Sequence, residues 1–240
     1  RKLFGQAAVQ GVVFAQFALA EMCAQGEGGE IDEDAATQWF RKAAEQGHAG
    51  AQNNLAERLV ETNSAEAMEW YEKAAEQNCV PAQYNLGRRL FEGDGQAAVH
   101  WLKLAAAADH TEAQFLLGRA CGEGVDCEPN SIEAAKWFRK ASEAGHGEAQ
   151  WELTRQLQAV PGPVYVVEAY QWTLKAAEQG IAGAQTNLGL CYAEGRGVEA
   201  DETQAVEWFA KAAEQGEPQA QCRLAERLCD GRGAEVDQEA

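Results

Sequence analysis

Trp70-Tyr71-Glu72-Lys73-Ala74-Ala75-Glu76-Gln77-Asn78-Cys79-Val80-Pro81-Ala82-Gln83 carries a pattern that recurs along the whole chain: a Trp, an Ala-rich acidic turn, a Gly or Asn stop, then an Ala-Gln pair. Trp stands at 39, 70, 101, 137, 172 and 208, and Ala-Gln begins at 51, 82, 113, 149, 184 and 220. The separation is 12 residues each time. A spacing held constant while its surroundings change marks a repeating structural unit.

The register divides 1–240 into one repeat array with units at 15–50, 51–81, 82–112, 113–148, 149–183 and 184–219. Residues 1–14 match the trailing helix of an incomplete unit, with Leu3 in the Trp position, and 220–240 open a truncated seventh. Asp237-Gln238-Glu239-Ala240 matches Asp201-Glu202-Thr203-Gln204, the start of a second helix. The sequence therefore reads as a piece of a longer protein.

Each unit reads as two helices. Helix A carries Ala51, Leu55, Ala56 and Leu59 on one face of a 3.6-residue period, and helix B carries Ala67, Trp70 and Ala74. Gly87 and Gly189 take the position of Ala56, where a small residue lets helices approach closely. The Trp series reads as core wedges between close-packed helices. Seven residues before the Trp stand the N-caps Asp32, Asn63, Asp94, Asn130 and Asp201, with Tyr165 the exception. Eight residues after it stand Gly47, Asn78, Asp109, Gly145, Gly180 and Gly216, types that accept a left-handed helix stop. All length variation lies between helices A and B. The long connection is Gly-rich, as in Glu194–Asp201, and the units starting at Ala51 and Ala82 lack five residues there. Pro161-Gly162-Pro163-Val164-Tyr165-Val166-Val167 reads as an extended apolar insertion.

Ala82-Gln83-Tyr84-Asn85-Leu86-Gly87, Glu194-Gly195-Arg196-Gly197-Val198 and Trp208 to Gly216, in register, resemble the Sel-one-like repeat family, a relative of the tetratricopeptide repeats. The resemblance covers essentially the whole chain. It implies an all-α fold, a right-handed α-solenoid of stacked antiparallel helix pairs with helices A on the concave side. It also implies an adaptor or scaffold that assembles complexes, some bacterial members being exported to engage host proteins. The two short units and the fifth unit's connection depart from the family pattern. A cysteine-rich branch pairs its helices by disulfides, and the Cys placement here does not match it.

Composition narrows the function classes. The net charge of −18 and pI near 4.6 argue against nucleic acid, whose binding requires clustered cations. Seven Cys without a CxxC pair favour a reducing compartment, with periplasmic or secreted placement the alternative. No apolar run is long enough to span a membrane. No P-loop, dinucleotide fingerprint, HExxH or nucleophile elbow occurs. His48, His110 and His146 each sit three residues before an Ala-Gln pair, a repeat feature rather than a metal cluster, and the acidic loop at 27–34 lacks calcium-loop spacing. No cofactor, metal site or catalytic residue is expected; a hydrolase using loop carboxylates is the remote alternative.

The candidate surface lies across helix A from its Ala/Leu face. Positions two and six after the Ala of Ala-Gln should be solvated. Position two instead holds Phe17, Tyr84, Phe115 and Trp151, and position six holds Arg88, Arg119 and Arg155. The pairs Tyr84/Arg88, Phe115/Arg119 and Trp151/Arg155 are spaced i, i+4, so each guanidinium can lie near its ring. Asn54, Asn85 and Asn187 at position three could hydrogen-bond an extended backbone. These residues point to a partner-binding face for a protein or peptide with acidic or C-terminal carboxylate groups. Two other readings stand beside it: the aromatics merely fill gaps between helices A, or the chain is an effector-like binder holding a basic partner by its acidic surface or by the 161–167 loop.

Overall fold

A computed structural model of the chain describes residues 1–91, 93–126, 128–159 and 162–231. These form fourteen α-helices, with no strand among the described residues. The A helices are α2 (Val13–Gln25), α4 (Ala49–Leu59), α6 (Val80–Leu90), α8 (Thr111–Glu123), α10 (Gly147–Gln158), α12 (Ala182–Glu194) and α14 (Pro218–Cys229). The B helices are α1 (Lys2–Val9), α3 (Glu33–Glu45), α5 (Ser64–Glu76), α7 (Gly95–Ala107), α9 (Ser131–Glu143), α11 (Pro163–Glu178) and α13 (Glu202–Glu214). Two compact units result, Arg1–Leu116 and Leu117–Ala240. Inside each, A helices pack on the B helices beside them, as α4 does on α3 and α5 and α12 on α11 and α13, which is α-solenoid packing.

Helix ends follow the cap chemistry. Asp32, Asn63, Asp94, Asn130 and Asp201 each accept from the amide three residues on, at 2.9–3.3 Å. Asn78 and Asp109 adopt φ of 60° and 59°, alongside Gly47, Gly145, Gly180 and Gly216, so even Asp109 takes the left-handed stop. His48, His110 and His146 have a repeat role of their own: each Nδ1 accepts the amide of the following Ala51, Ala113 or Ala149 at 3.1–3.3 Å, capping an A helix.

The constant 12-residue spacing has a hydrogen-bond cause. In all seven Ala-Gln pairs the Gln amide reaches back eight residues to a carbonyl at the end of the preceding B helix. The distances are 3.1–3.3 Å, from Gln16 to Ala8 through Gln221 to Ala213. The last carbonyls of a helix have no intrahelical partner, and this amide supplies one. Gln46, Gln77 and Gln215 then donate to Gln16, Gln52 and Gln185 at 2.7 Å, and Gln179 to Gln150 at 3.0 Å, linking one unit to the next. Trp70 to Gln83 is thus the joint between helix pairs.

The Trp series is not the core wedge the spacing suggested. All six are half-buried, while the residue after each is fully buried: Phe40, Tyr71, Leu102, Phe138, Thr173 and Phe209. The buried stripe of helix B runs i, i+4, i+7, as in Ala36/Phe40/Ala43, one step around from the expected face. The Trp ring lies at the rim, and in five units a Lys three residues on (Lys42, Lys73, Lys140, Lys175, Lys211) sets its ammonium 3.9–4.6 Å from the ring centroid. Small residues on helix A make room for the true wedge. A Cβ at Gly189 would stand 2.7 Å from the Phe209 ring, and one at Gly118 would stand 2.8 Å from Phe138.

One further expectation is corrected. Pro161 lies outside the described residues, but Gly162 caps a helix that begins at Pro163, so 163–167 are its first turns rather than an extended loop. Pro at the first helical turn outweighs the β-branched run, because its φ is already helical and its missing N–H is not needed there. Among the cysteines, Cys23 and Cys191 are buried and Cys121 is half-buried. Burial pushes the Cys191 thiol up. Cys127 and the tail 232–240 lie outside the described residues.

Candidate partner-binding surface

Position six of helix A is solvated in five of its seven copies, Glu21 and Leu190 being half-buried. Arg88, Arg119 and Arg155 are all exposed. Arg88 sets its guanidinium 5.5 Å from the Tyr84 ring centroid. Arg119 pairs with Glu123 at 2.8 Å and Arg155 with Glu152 at 2.9 Å, both on their own helices. Such exposed pairs contribute little to stability and separate at little cost.

Position two is not solvated. Phe17, Tyr84, Phe115 and Trp151 are half-buried, and Asn53 and Thr186 at the same register are buried. Phe17 stacks on the His48 ring at 4.3 Å and meets Phe40 at 5.9 Å. Tyr84 stacks on His110 at 4.5 Å. Trp151 packs against the core of α11 and α12, where a Cβ on Gly183 would stand 3.1 Å from its indole nitrogen. Each of these three rings therefore rests on the N-terminus of the next A helix. A single helical wheel misses this, because it treats the face opposite the core as free when another helix A lies beside it.

The asparagines are committed within the chain to different degrees. Asn85 is buried and donates to Asn53 at 3.1 Å and Glu57 at 3.0 Å, and Asn187 is buried and donates to Thr173 at 3.3 Å. Asn54 is half-buried and lines a cleft of about 250 Å³ with Glu21, Glu57 and Arg58. Burial, the largest influence on Glu21, raises its carboxyl above the ordinary range. Among the described residues no group of three His, Cys, Asp or Glu gathers as metal ligands, and no helix is long and apolar enough to cross a membrane.

The His110 cap makes one pH dependence testable. Burial beneath Tyr84 lowers the His110 pKa from its ordinary value, against a smaller opposing pull from Glu112. A lowered folded pKa means protonation favours the unfolded chain. The stability from this group is present above the unfolded value of about 6.5 and is lost as pH falls through it and on to the lower folded value. The melting temperature of the parent minus that of His110→Asn, a cap that does not titrate, is expected to shrink between pH 7.5 and pH 5.5. A difference constant across that range would refute the assignment.

Capped helix pairs stacked through an Ala-Gln seam define a repeat scaffold of the all-α solenoid class. The Sel1 repeat matches residues 13–48, 49–79, 80–110, 111–146, 166–181, 182–217 and 218–240, and the chain belongs to this family. It is similar to a protective antigen of uropathogenic Escherichia coli displaying an SLR fold, with a TM-score of 0.91 and 31% identity over 99% of this chain and 53% of that one. A Sel1 repeat protein from Oxalobacter formigenes gives a TM-score of 0.77 and 30% identity over 99% of this chain and 72% of that one. A 52-residue stretch, 21% of this chain, is 48% identical to an exopolysaccharide production negative regulator of Rhizobium meliloti. The chain spans about half the length of the antigen, and the matched stretch covers 19% of the regulator. Sel1 repeats generally mediate protein–protein interaction, and proteins built from them are typically non-catalytic scaffolds.

Proposed function

We propose that the chain is a non-catalytic adaptor that binds a segment of a partner protein on its helix-A surface, where Arg88, Arg119 and Arg155 meet acidic side chains or a C-terminal carboxylate. The observation that carries this reading is the exposure of an arginine at one repeat position of α6, α8 and α10, in a chain of net charge −18. Arginine and aromatic residues dominate binding hot spots, and each arginine follows a half-buried ring by four residues. Tyr84, Phe115, Trp151 and Phe17 supply part of a ring each, and Asn54 a side-chain amide. Asn85 and Asn187 act by fixing the A helices, their own amides being engaged internally. The name of the Rhizobium relative, a negative regulator, is in keeping with action through a bound protein.

Selection of ligands from a displayed random-peptide library, followed by titration of Arg88→Glu and Arg119→Glu, tests the proposal. Each reversal is expected to weaken the selected peptide at least tenfold, about 1.4 kcal/mol. Unchanged affinity in both variants would remove the arginines from the site. Steep weakening by salt that ignores both substitutions would assign binding to the acidic surface instead.

A further inference from the structure

Seven residues after the Ala of Ala-Gln, α4 and α14 carry Arg58 and Arg227. Each closes the groove between its helix and the B helix before it. Arg58 pairs with Glu33, and Arg227 pairs with Glu202 at 2.9 Å, a contact of opposite charges without hydrogen-bond alignment. The Arg58 guanidinium also lies 5.3 Å from the Phe40 ring centroid, and that of Arg227 lies 4.8 Å from Phe209. Pair, ring and guanidinium form one plug, repeated in both units.

The junction of α9 and α10 keeps the ring, Phe138, and loses the plug. Gln156 replaces the arginine, and Ser131 stands where Glu33 and Glu202 stand, six residues before the repeat Trp. A groove of about 500 Å³ opens there, walled by Ile132, Ala135, Leu153 and Leu157. Ile132 is 73% exposed. The Gln156 Oε1 atom is buried and receives no hydrogen bond. A buried acceptor without a donor is destabilising, and an incoming N–H would satisfy it. Lys136 and Arg139 also line the groove, held by Glu133 at 2.8 Å and Glu168 at 2.5 Å, in partly exposed pairs that can be shared with a second acid.

We propose that this groove docks a segment of a partner protein that inserts one large apolar side chain between Ile132 and Leu157. Beside it the segment donates an N–H to Gln156 and sets an acidic residue against Lys136 and Arg139. Charge decides the flanking residue: the two cations lining the groove stand out in a chain of net charge −18, so a basic segment would be held elsewhere. The site is separate from the proposed arginine surface and does not depend on it.

The probe is acetyl-Asp-Leu-Phe-Asp-amide, titrated to about 1 mM against protein labelled at the Ile and Leu methyls, a concentration suited to a weak single-pocket ligand. The methyls of Ile132, Leu153 and Leu157 are expected to shift. Gln156→Arg with Ser131→Glu builds in the plug of the α3/α4 and α13/α14 junctions and is expected to weaken binding at least tenfold with melting temperature unchanged or raised. Ile132→Asp, at an exposed position, provides a second loss of binding without a folding cost. Peptides with Ala for Leu-Phe, or Lys for both Asp, are expected to leave the methyls unmoved. The proposal fails if no probe shifts those methyls, if the plugged variant binds equally, or if the basic or Ala peptide binds as well. It also fails if the shifts follow protein concentration alone, which would make the occupant a second copy of the chain.

Discussion

Phe40→Ala is expected to lower the stability of the first unit by about 3–5 kcal/mol, while Trp39→Ala costs about 1–2 kcal/mol. The larger ring is the lesser contributor because of where each sits. Phe40 is 2% exposed, meets the Phe17 ring at 5.9 Å and lies under the Arg58 guanidinium. Buried around it are Ala20, Ala36, Ala43 and Ala51, side chains too short to swing into a hole. The cavity left by Phe40→Ala would stay open, so the lost packing adds to the lost transfer free energy. Trp39 is half-buried at the rim, with the Lys42 ammonium 4.1 Å above its ring, and its removal opens to solvent rather than to a void. Guanidinium denaturation followed by far-UV circular dichroism compares the two without the change in Trp fluorescence. Because a repeat contacts only its neighbours, the loss is expected in the transition of the first unit and not in the second. Equal losses, or a larger one for Trp39→Ala, would return the wedge role to Trp.

That contrast also separates what the sequence discloses from what it does not. Helix ends were legible because caps are local: Asp32 and Asn63 satisfy amides three residues away, and Asn78 and Asp109 need only their own φ. The Ala/Leu face of helix A was legible because its period is set by the helix itself. The step from Trp39 to Phe40 was not, since a Trp repeated in all six units outweighs a neighbour that varies among Phe, Tyr, Leu and Thr. Half-burial of Tyr84 and Trp151 was not legible either, because it depends on His110 and Gly183 in the next unit. The exposed arginines were readable from the wheel, where only helix geometry is needed. The groove at Gln156 has a sequence signal: aligning the units sets Gln156 against Arg58, Arg89 and Arg227, with Met22, Ala120 and Cys191 in the remaining units. The meaning of that difference requires Glu33 and Phe40 to be seen around the arginine.

The Ala-Gln seam supports the other large prediction. Gln83→Glu is expected to destabilise the first unit by about 3 kcal/mol or more at pH 8, as an unpaired buried charge does. Gln83 is 3% exposed, and its amide nitrogen donates to the Ala75 carbonyl at 3.2 Å. A carboxylate there has no N–H, so it sets an oxygen against that carbonyl in a site closed to water. Gln83→Met, by comparison, is expected to cost only about 1 kcal/mol, one hydrogen bond. The Ala75 carbonyl still accepts from the Asn78 amide at 3.0 Å, so nothing is left bare. Gln52→Glu is expected to fall between these values. Its oxygen retains the donor it has now, the Gln77 amide at 2.7 Å, whereas Ala108 at the matching place beside Gln83 has no side-chain amide. Burial raises the folded pKa of the introduced Glu above its unfolded value of about 4.3, so the stability it leaves is fully present below that value and is lost as pH rises through the folded pKa. The protonated acid can donate to the Ala75 carbonyl as the amide does. Chemical denaturation of the parent and the three variants at pH 8 and pH 5 decides the matter: Gln83→Glu should regain stability relative to the parent at pH 5 while Gln83→Met does not. A Gln83→Glu loss that is small, or the same at both pH values, would mean that this position is open to water and that the Gln–carbonyl bond does not hold one helix pair to the next.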